Sequence, residues 1–75
     1  MTTMPNETSM SNADRLRVQD TLRRLDYYKG QLDGVFGPLT RAAIRRFQGD
    51  IGAQVTGRLT AEEVSRLVST APSAR

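Results

Sequence analysis

Three groups of residues in this chain carry side chains suited to holding a polar ligand. They are the loop Asp33-Gly34-Val35-Phe36-Gly37, the pair Tyr27-Tyr28 before it, and Arg41 with Arg45 after it. A short acid between glycine-rich turns can accept bonds from backbone N–H groups at the turn or at the start of the next helix. Asp33 therefore reads either as a cap for its own backbone or as a carboxylate that also faces a groove and accepts a ligand amide or hydroxyl. A tyrosine offers a flat ring for sugar C–H faces and a hydroxyl for sugar oxygens. Adjacent tyrosines near a helix end point in different directions, which assigns Tyr28 mainly to packing and Tyr27 to the surface. Arg41 and Arg45 lie one helical turn apart and point away from the apolar stripe, forming either a solvated face or a bidentate holder of carboxylates. Arg46 and Asp50, at i,i+4, read as a surface pair worth tenths of a kcal/mol.

Catalysis fits this composition badly. The 75 residues include no histidine and no cysteine, which removes imidazole bases, thiolate nucleophiles, disulfides and the usual zinc sets, so no cofactor or metal is expected. Asp20, Asp26, Asp33, Asp50, Glu62 and Glu63 fall on separate elements, with no paired carboxylates in an apolar setting that would raise one pKa. The net charge of +3 favours anionic partners without choosing among cell wall, nucleic acid and acidic protein. No apolar run approaches membrane-spanning length, and residues 1–12 lack the basic and apolar regions of a signal peptide.

To position those groups the pattern predicts an all-α, compact three-helix bundle with glycine-rich connecting loops. Residues 1–12 read as a disordered arm, 13–70 as the domain and 71–75 as a disordered tail, and no internal repeat is visible. The first helix starts near Asn12 to Asp14 with Ser11 and Asp14 as a capping box. It buries Val18, Leu22 and Leu25, and stops around Asp26 to Lys29 with Gly30 free to turn left-handed. Leu16 falls off that stripe and is the one hint of an apolar patch on the faces of the first and third helices. The second helix begins at Pro38 after Gly37 and buries Phe36, Thr40, Ala43, Ile44, Phe47 and Ile51. The third is capped by Thr60 with Glu63 closing the box, Leu59 and Val64 as a hydrophobic staple, and Val64, Leu67 and Val68 buried. Between Gly52 and Gly57, Val55 is expected to tuck inward.

The run from Val18-Gln19 and Leu22 through Leu25-Asp26-Tyr27-Tyr28, Asp33-Gly34-Val35-Phe36-Gly37-Pro38, Thr40-Arg41-Ala42-Ala43 and Phe47-Gln48 to Thr56-Gly57 resembles the peptidoglycan-binding domain of bacterial cell-wall enzymes. The resemblance implies a three-helix, non-catalytic module that binds peptidoglycan or muropeptides at Tyr27, Tyr28, Asp33, Phe36, Gly37, Arg41 and Arg45. It also implies a place in the cell wall or periplasm, and a role in tethering an associated protein, such as a hydrolase acting in trans, to the polymer. Gln19 and Gln48 belong to the same motif and read as loop anchors ahead of ligand contacts. Asp26 stands where the family usually has glycine, a substitution that aspartate's access to the left-handed region tolerates. The alternative is a protein-interaction or assembly adaptor of a phage or secretion apparatus using the same fold. Nucleic-acid binding ranks third, because Glu62 and Glu63 occupy the end of the third helix that would approach phosphates.

Overall fold

A computed structural model describes residues 9–70, which fold into three helices: α1 (Asn12–Arg24), α2 (Pro38–Asp50) and α3 (Ala61–Thr70). No strand occurs among the described residues. The readings for residues 1–8 and 71–75 lie outside them. Order begins earlier than residue 13, because Met10 is buried in the core and Ser11 is the N-cap of α1.

Each helix starts where its cap chemistry dictates. Ser11 Oγ accepts from Asp14 N at 3.2 Å, and Asp14 Oδ2 accepts in return from Ser11 N at 3.4 Å. Thr60 and Glu63 repeat the arrangement at α3, with bonds of 3.1 and 3.0 Å. Two N–H groups left without intrahelical partners at each start are satisfied this way. α2 differs: Pro38 is its first residue, and Gly37 caps it without a side-chain bond.

The stop of α1 corrects the expectation for Gly30. Asp26 takes the left-handed conformation, at φ 68°, directly after the C-cap Leu25, and the amides of Tyr27 and Tyr28 then bond Leu22 O at 2.8 and 3.2 Å. Gly30 is needed for closeness instead: a Cβ there would sit 2.6 Å from Tyr28 Oη, whose hydroxyl donates to Gln31 O at 2.5 Å.

α1 packs against both other helices, and its Val18 and Leu22 meet Ala43, Ile44 and Phe47 of α2 and Val64 and Leu67 of α3 in one cluster completed by Met10, Tyr28 and Leu59. The staple residues Leu59 and Val64 are both buried, while Leu25, Phe36, Ile51 and Val68 are partly so. Val55 does not tuck inward. It stands 52% exposed against the surface of Gly49, while the two residues after it, Thr56 and Gly57, are held by Gln48.

Candidate functional site

Two glutamines, each fully buried, build the loops that carry the polar groups. Gln19 Oε1 accepts from the amides of Asp33 (3.1 Å) and Gly34 (2.8 Å), and its Nε2 donates to Asp33 Oδ1, Val35 O and Thr40 Oγ1. Gln48 does the same in the second loop. Its Oε1 accepts from Thr56 N and Gly57 N, and its Nε2 donates to Thr56 Oγ1, Arg58 O and Glu63 Oε1. A buried amide must find partners for both its ends, and four loop groups and one side chain from the following helix close around each one. Gly34 and Gly57 sit at φ 76° and 80°, the left-handed corner that turns two successive amides toward the glutamine oxygen.

Asp33 is thus primarily a loop organiser. Its Oδ1 accepts from Val35 N at 2.9 Å and from Gln19, and these two bonds, the backbone one first, hold its carboxyl below the usual aspartate range. The side chain is nonetheless exposed and forms part of the wall of a groove of about 350 Å3, together with Tyr28, Gly30, Val35, Gly37 and Leu39. Three of the four exposed large apolar side chains among the described residues lie in this region: Val35 and Leu39 line the groove, and Leu32 lies in the same loop, while Val55 stands in the other loop. Leu16, in contrast, is half-buried and marks no patch.

The residues expected to form one site divide into three places. Tyr28, Asp33 and Gly37 share the groove, where Tyr28 contributes a buried wall, its hydroxyl already committed to Gln31 O. Phe36, Arg41 and Arg45 form a second group. The Phe36 ring has the Arg41 guanidinium 5.6 Å and the Arg15 guanidinium 5.9 Å from its centre. Arg41 Nη1 donates to Gly57 O at 3.0 Å, and Arg45 lies over the same glycine, its Nη1 3.1 Å from where a Cβ would stand. Arg41 is therefore half-buried and links the two loops instead of pointing into solvent.

Tyr27 stands apart from both. Its hydroxyl donates to Asp50 Oδ2 at 2.5 Å, its ring meets Phe47 edge-on at 6.1 Å, and Arg46 covers it at 5.6 Å. The bond to Asp50, ahead of burial, raises the Tyr27 pKa. Asp50 lies about 18 Å along the helix from the start of α2 at 1.5 Å per residue, so Tyr27 is not beside the groove. The expected pairing of Arg46 with Asp50 is replaced by this arrangement, in which both residues hold Tyr27. Arg15 was not singled out from sequence, because its meeting with Phe36 joins residues 21 positions apart and leaves no spacing signal.

A second groove, of about 730 Å3, runs along α3 and is lined by Ile51, Thr60, Glu62, Glu63, Ser65 and Arg66, among others. Glu63 is engaged there by Thr60 and Gln48. The carboxylates of Asp20, Asp33, Asp50 and Glu63 each accept a bond within the fold, from Arg24, Val35, Tyr27 and Thr60 respectively. These four carboxylates are thereby engaged in bonds that hold the fold. No helix among the described residues is long and apolar enough to cross a membrane.

Comparison with known proteins meets the same span. The sequence model of the peptidoglycan binding domain matches residues 11–67. The localization factor PodJL of Caulobacter vibrioides is 42% identical over 57 residues, which are 76% of this chain and 6% of PodJL. A protein of Synechocystis named for the OxPP cycle, OpcA, is 42% identical over 55 residues, 73% of this chain and 11% of that protein. The spore cortex-lytic enzyme of Oceanobacillus iheyensis is 41% identical over 44 residues, 59% of this chain and 16% of the enzyme. The chain thus corresponds to a small part of each of these proteins. No solved structure matches it significantly.

Proposed function

Because the chain belongs to the peptidoglycan-binding domain family, we propose that it is a non-catalytic module that holds an associated protein on the wall polymer. One observation carries the reading: the groove of about 350 Å3 beside the Gln19-anchored loop, where Tyr28, Asp33 and Gly37 stand next to the exposed apolar Val35 and Leu39. An apolar wall with a few fixed polar groups suits a glycopeptide, whose methyl-bearing residues need burial and whose amides and hydroxyls need acceptors. In this reading Tyr28, Asp33 and Gly37 form the groove, while Arg41, over the Phe36 ring, and Arg45 add positive charge at the neighbouring loop around Gly57. Tyr27 steadies the junction of α1 with the end of α2.

A tether increases the local concentration of its cargo even when its own affinity is modest. The spore cortex-lytic enzyme shows such a stretch inside a protein named as lytic, which supports a hydrolase as cargo or as partner in trans and a place at the cell wall. The test is co-sedimentation with insoluble sacculi, followed by amide spectra with soluble muropeptides. Retention in the pellet, with shifts at Tyr28 to Leu39, is the expected result. A protein that stays in the supernatant at low salt, with those amides unmoved, refutes the assignment.

A second reading rests on the same apolar rim. Leu32, Val35 and Leu39 are 38%, 63% and 68% exposed, and such a cluster also suits a protein partner in an assembly adaptor. The relative named as a localization factor supports that reading for the fold. Sacculus binding that survives Leu39→Asp together with Val35→Asp would reserve the rim for such a partner.

A further inference from the structure

We infer that the groove beside the Gln19-anchored loop takes an aliphatic chain ending in a primary amine, with the ammonium on the Asp33 carboxylate and the methylenes on Val35 and Leu39. The inference rests on the wall-binding reading and names the ligand group that this same groove selects. In a wall peptide that group is the side chain of a diamino residue that has not been cross-linked.

Of the residues that line the groove, Asp33 alone bears a charge. Arg41 and Arg45 stand at Gly57 in the other loop, and neither is part of that lining. A negative group with no positive one in the same lining complements a cationic ligand. The larger groove along α3 makes no such selection, since Glu62 and Glu63 share its lining with Arg66.

The Asp33 carboxylate is also only half committed to the fold. Both bonds that it accepts, from Val35 N and Gln19 Nε2, end on Oδ1, which orients the group and leaves Oδ2 without a partner among the described residues. The residue is exposed, so that oxygen is open to a ligand. The same two bonds hold the carboxyl below the usual aspartate range and keep it charged well into acid. An ionised carboxylate accepts and cannot donate, so it turns away acids and phosphates and favours an N–H donor that carries charge. The apolar wall adds a second requirement. Val35 and Leu39 are 63% and 68% exposed, and an amine on a methylene stem covers such surface with the stem while its head reaches the carboxylate.

The test titrates the chain with two soluble muropeptides that differ only in whether the side-chain amine of the diamino residue is free or acetylated. The free form should bind about fivefold more tightly at low salt, the effect of one exposed ion pair, and added salt should shrink the difference. Asp33→Asn should bring the ratio to about one, its amide oxygen still able to accept from Val35 N. Leu39→Lys supplies an ammonium of the protein's own and leaves every bond of Asp33 in place, and it should abolish the preference too. Glu62→Gln removes an exposed charge from the other groove and should keep the ratio. Thermal unfolding establishes that each variant remains folded, and Leu39→Lys decides the matter should Asp33→Asn unfold. Equal binding of the two forms by the wild type, a preference that survives Asp33→Asn or Leu39→Lys, or one that Glu62→Gln abolishes would overturn the inference and leave wall binding standing. A wild-type chain that binds neither form overturns wall binding itself.

Discussion

The loop after α1 and the loop after α2 are the same device built twice, and they differ where the first would meet a ligand. Gln19 and Gln48 each hold two loop amides, one loop carbonyl, one loop side chain and one side chain at the third position of the following helix. Asp33, Gly34, Val35, Phe36, Gly37 and Thr40 correspond one by one to Thr56, Gly57, Arg58, Leu59, Thr60 and Glu63. Even the local turn bond recurs, from Val35 N to Asp33 Oδ1 and from Arg58 N to Thr56 Oγ1. At the N-cap the likeness stops. Thr60 and Glu63 close the end of α3 with their own side chains, whereas Gly37 leaves α2 without a side-chain cap and without an acid in its first turn. A repeated frame completed with polar groups in one copy and left open in the other separates what stabilises the fold from what is available for binding.

The largest expected effect breaks both copies. Gln19→Ala and Gln48→Ala should each destabilise the domain by about 3 kcal/mol or more, since each strands several buried groups at about 1–3 kcal/mol apiece. A domain of this size has a total stability of about 4–11 kcal/mol, so partial unfolding at room temperature is the expected result. Chemical denaturation followed by circular dichroism measures it. A loss below 1 kcal/mol in either variant would show that water replaces the amide and that the two frames are not equally dry.

Next come the two left-handed glycines. Gly34→Ala and Gly57→Ala both incur a positive-φ cost of about 1–2 kcal/mol. Gly34→Ala should cost more, because its Cβ would lie 2.1 Å from Asn12 Oδ1 whereas that of Gly57 would lie 3.1 Å from Arg45 Nη1. Adding Asn12→Ala should recover part of the difference, read from the same denaturation curves.

Exchanging the caps sharpens the comparison most directly. Gly37 is extended, at φ −84°, and a Cβ there meets nothing within 4 Å, so Gly37→Ser fits and should gain up to about 1 kcal/mol as a side-chain cap. Thr60→Ala should lose about 1 kcal/mol at the equivalent place. If the open end of α2 contributes to binding, Gly37→Ser should hold muropeptides less tightly while being the more stable protein. Stabilisation with unchanged affinity would detach the groove from the helix end.

The smallest effect is in the pH profile. The Asp33 carboxyl is depressed in the fold, so its contribution is fully present above the unfolded-state value of about 4 and is lost as the pH falls through the lower folded value. Thr56 in the other copy does not titrate. Asp33→Asn should flatten the decline in melting temperature below about pH 4 relative to the wild type, and an unaltered slope would mean that other acids govern it.

Much of the frame was legible in residue order. The capping boxes at Ser11 and Thr60, the proline start of α2 and the apolar stripes of all three helices are local patterns that need no tertiary partner to be read. The repeat escaped notice because the glutamines are spaced unequally from their loops, at 15 residues from Gly34 and 9 from Gly57, and because the matched side chains differ in type while offering the same oxygen. Asp26 takes the left-handed turn that its place in the family motif allows, and Gly30 does not, since the amides of Tyr27 and Tyr28 turn back to Leu22 O immediately after the last helical turn. Val55 looked like a core residue by type, but neighbouring loop groups were already committed to Gln48.

The amino-acid order alone determined where the three helices start, which faces they bury and that no histidine or cysteine chemistry operates in this chain, because these depend on side-chain type and short-range spacing. The tertiary structure alone decided which polar residues meet. It sent Tyr27 to Asp50, committed Asp33 to its own loop, brought Arg15 to Phe36 and left the groove beside Gly37 open. The physical reason is that a buried amide or guanidinium must find complementary atoms wherever the chain brings them, and separation along the sequence places no restriction on which atoms those are.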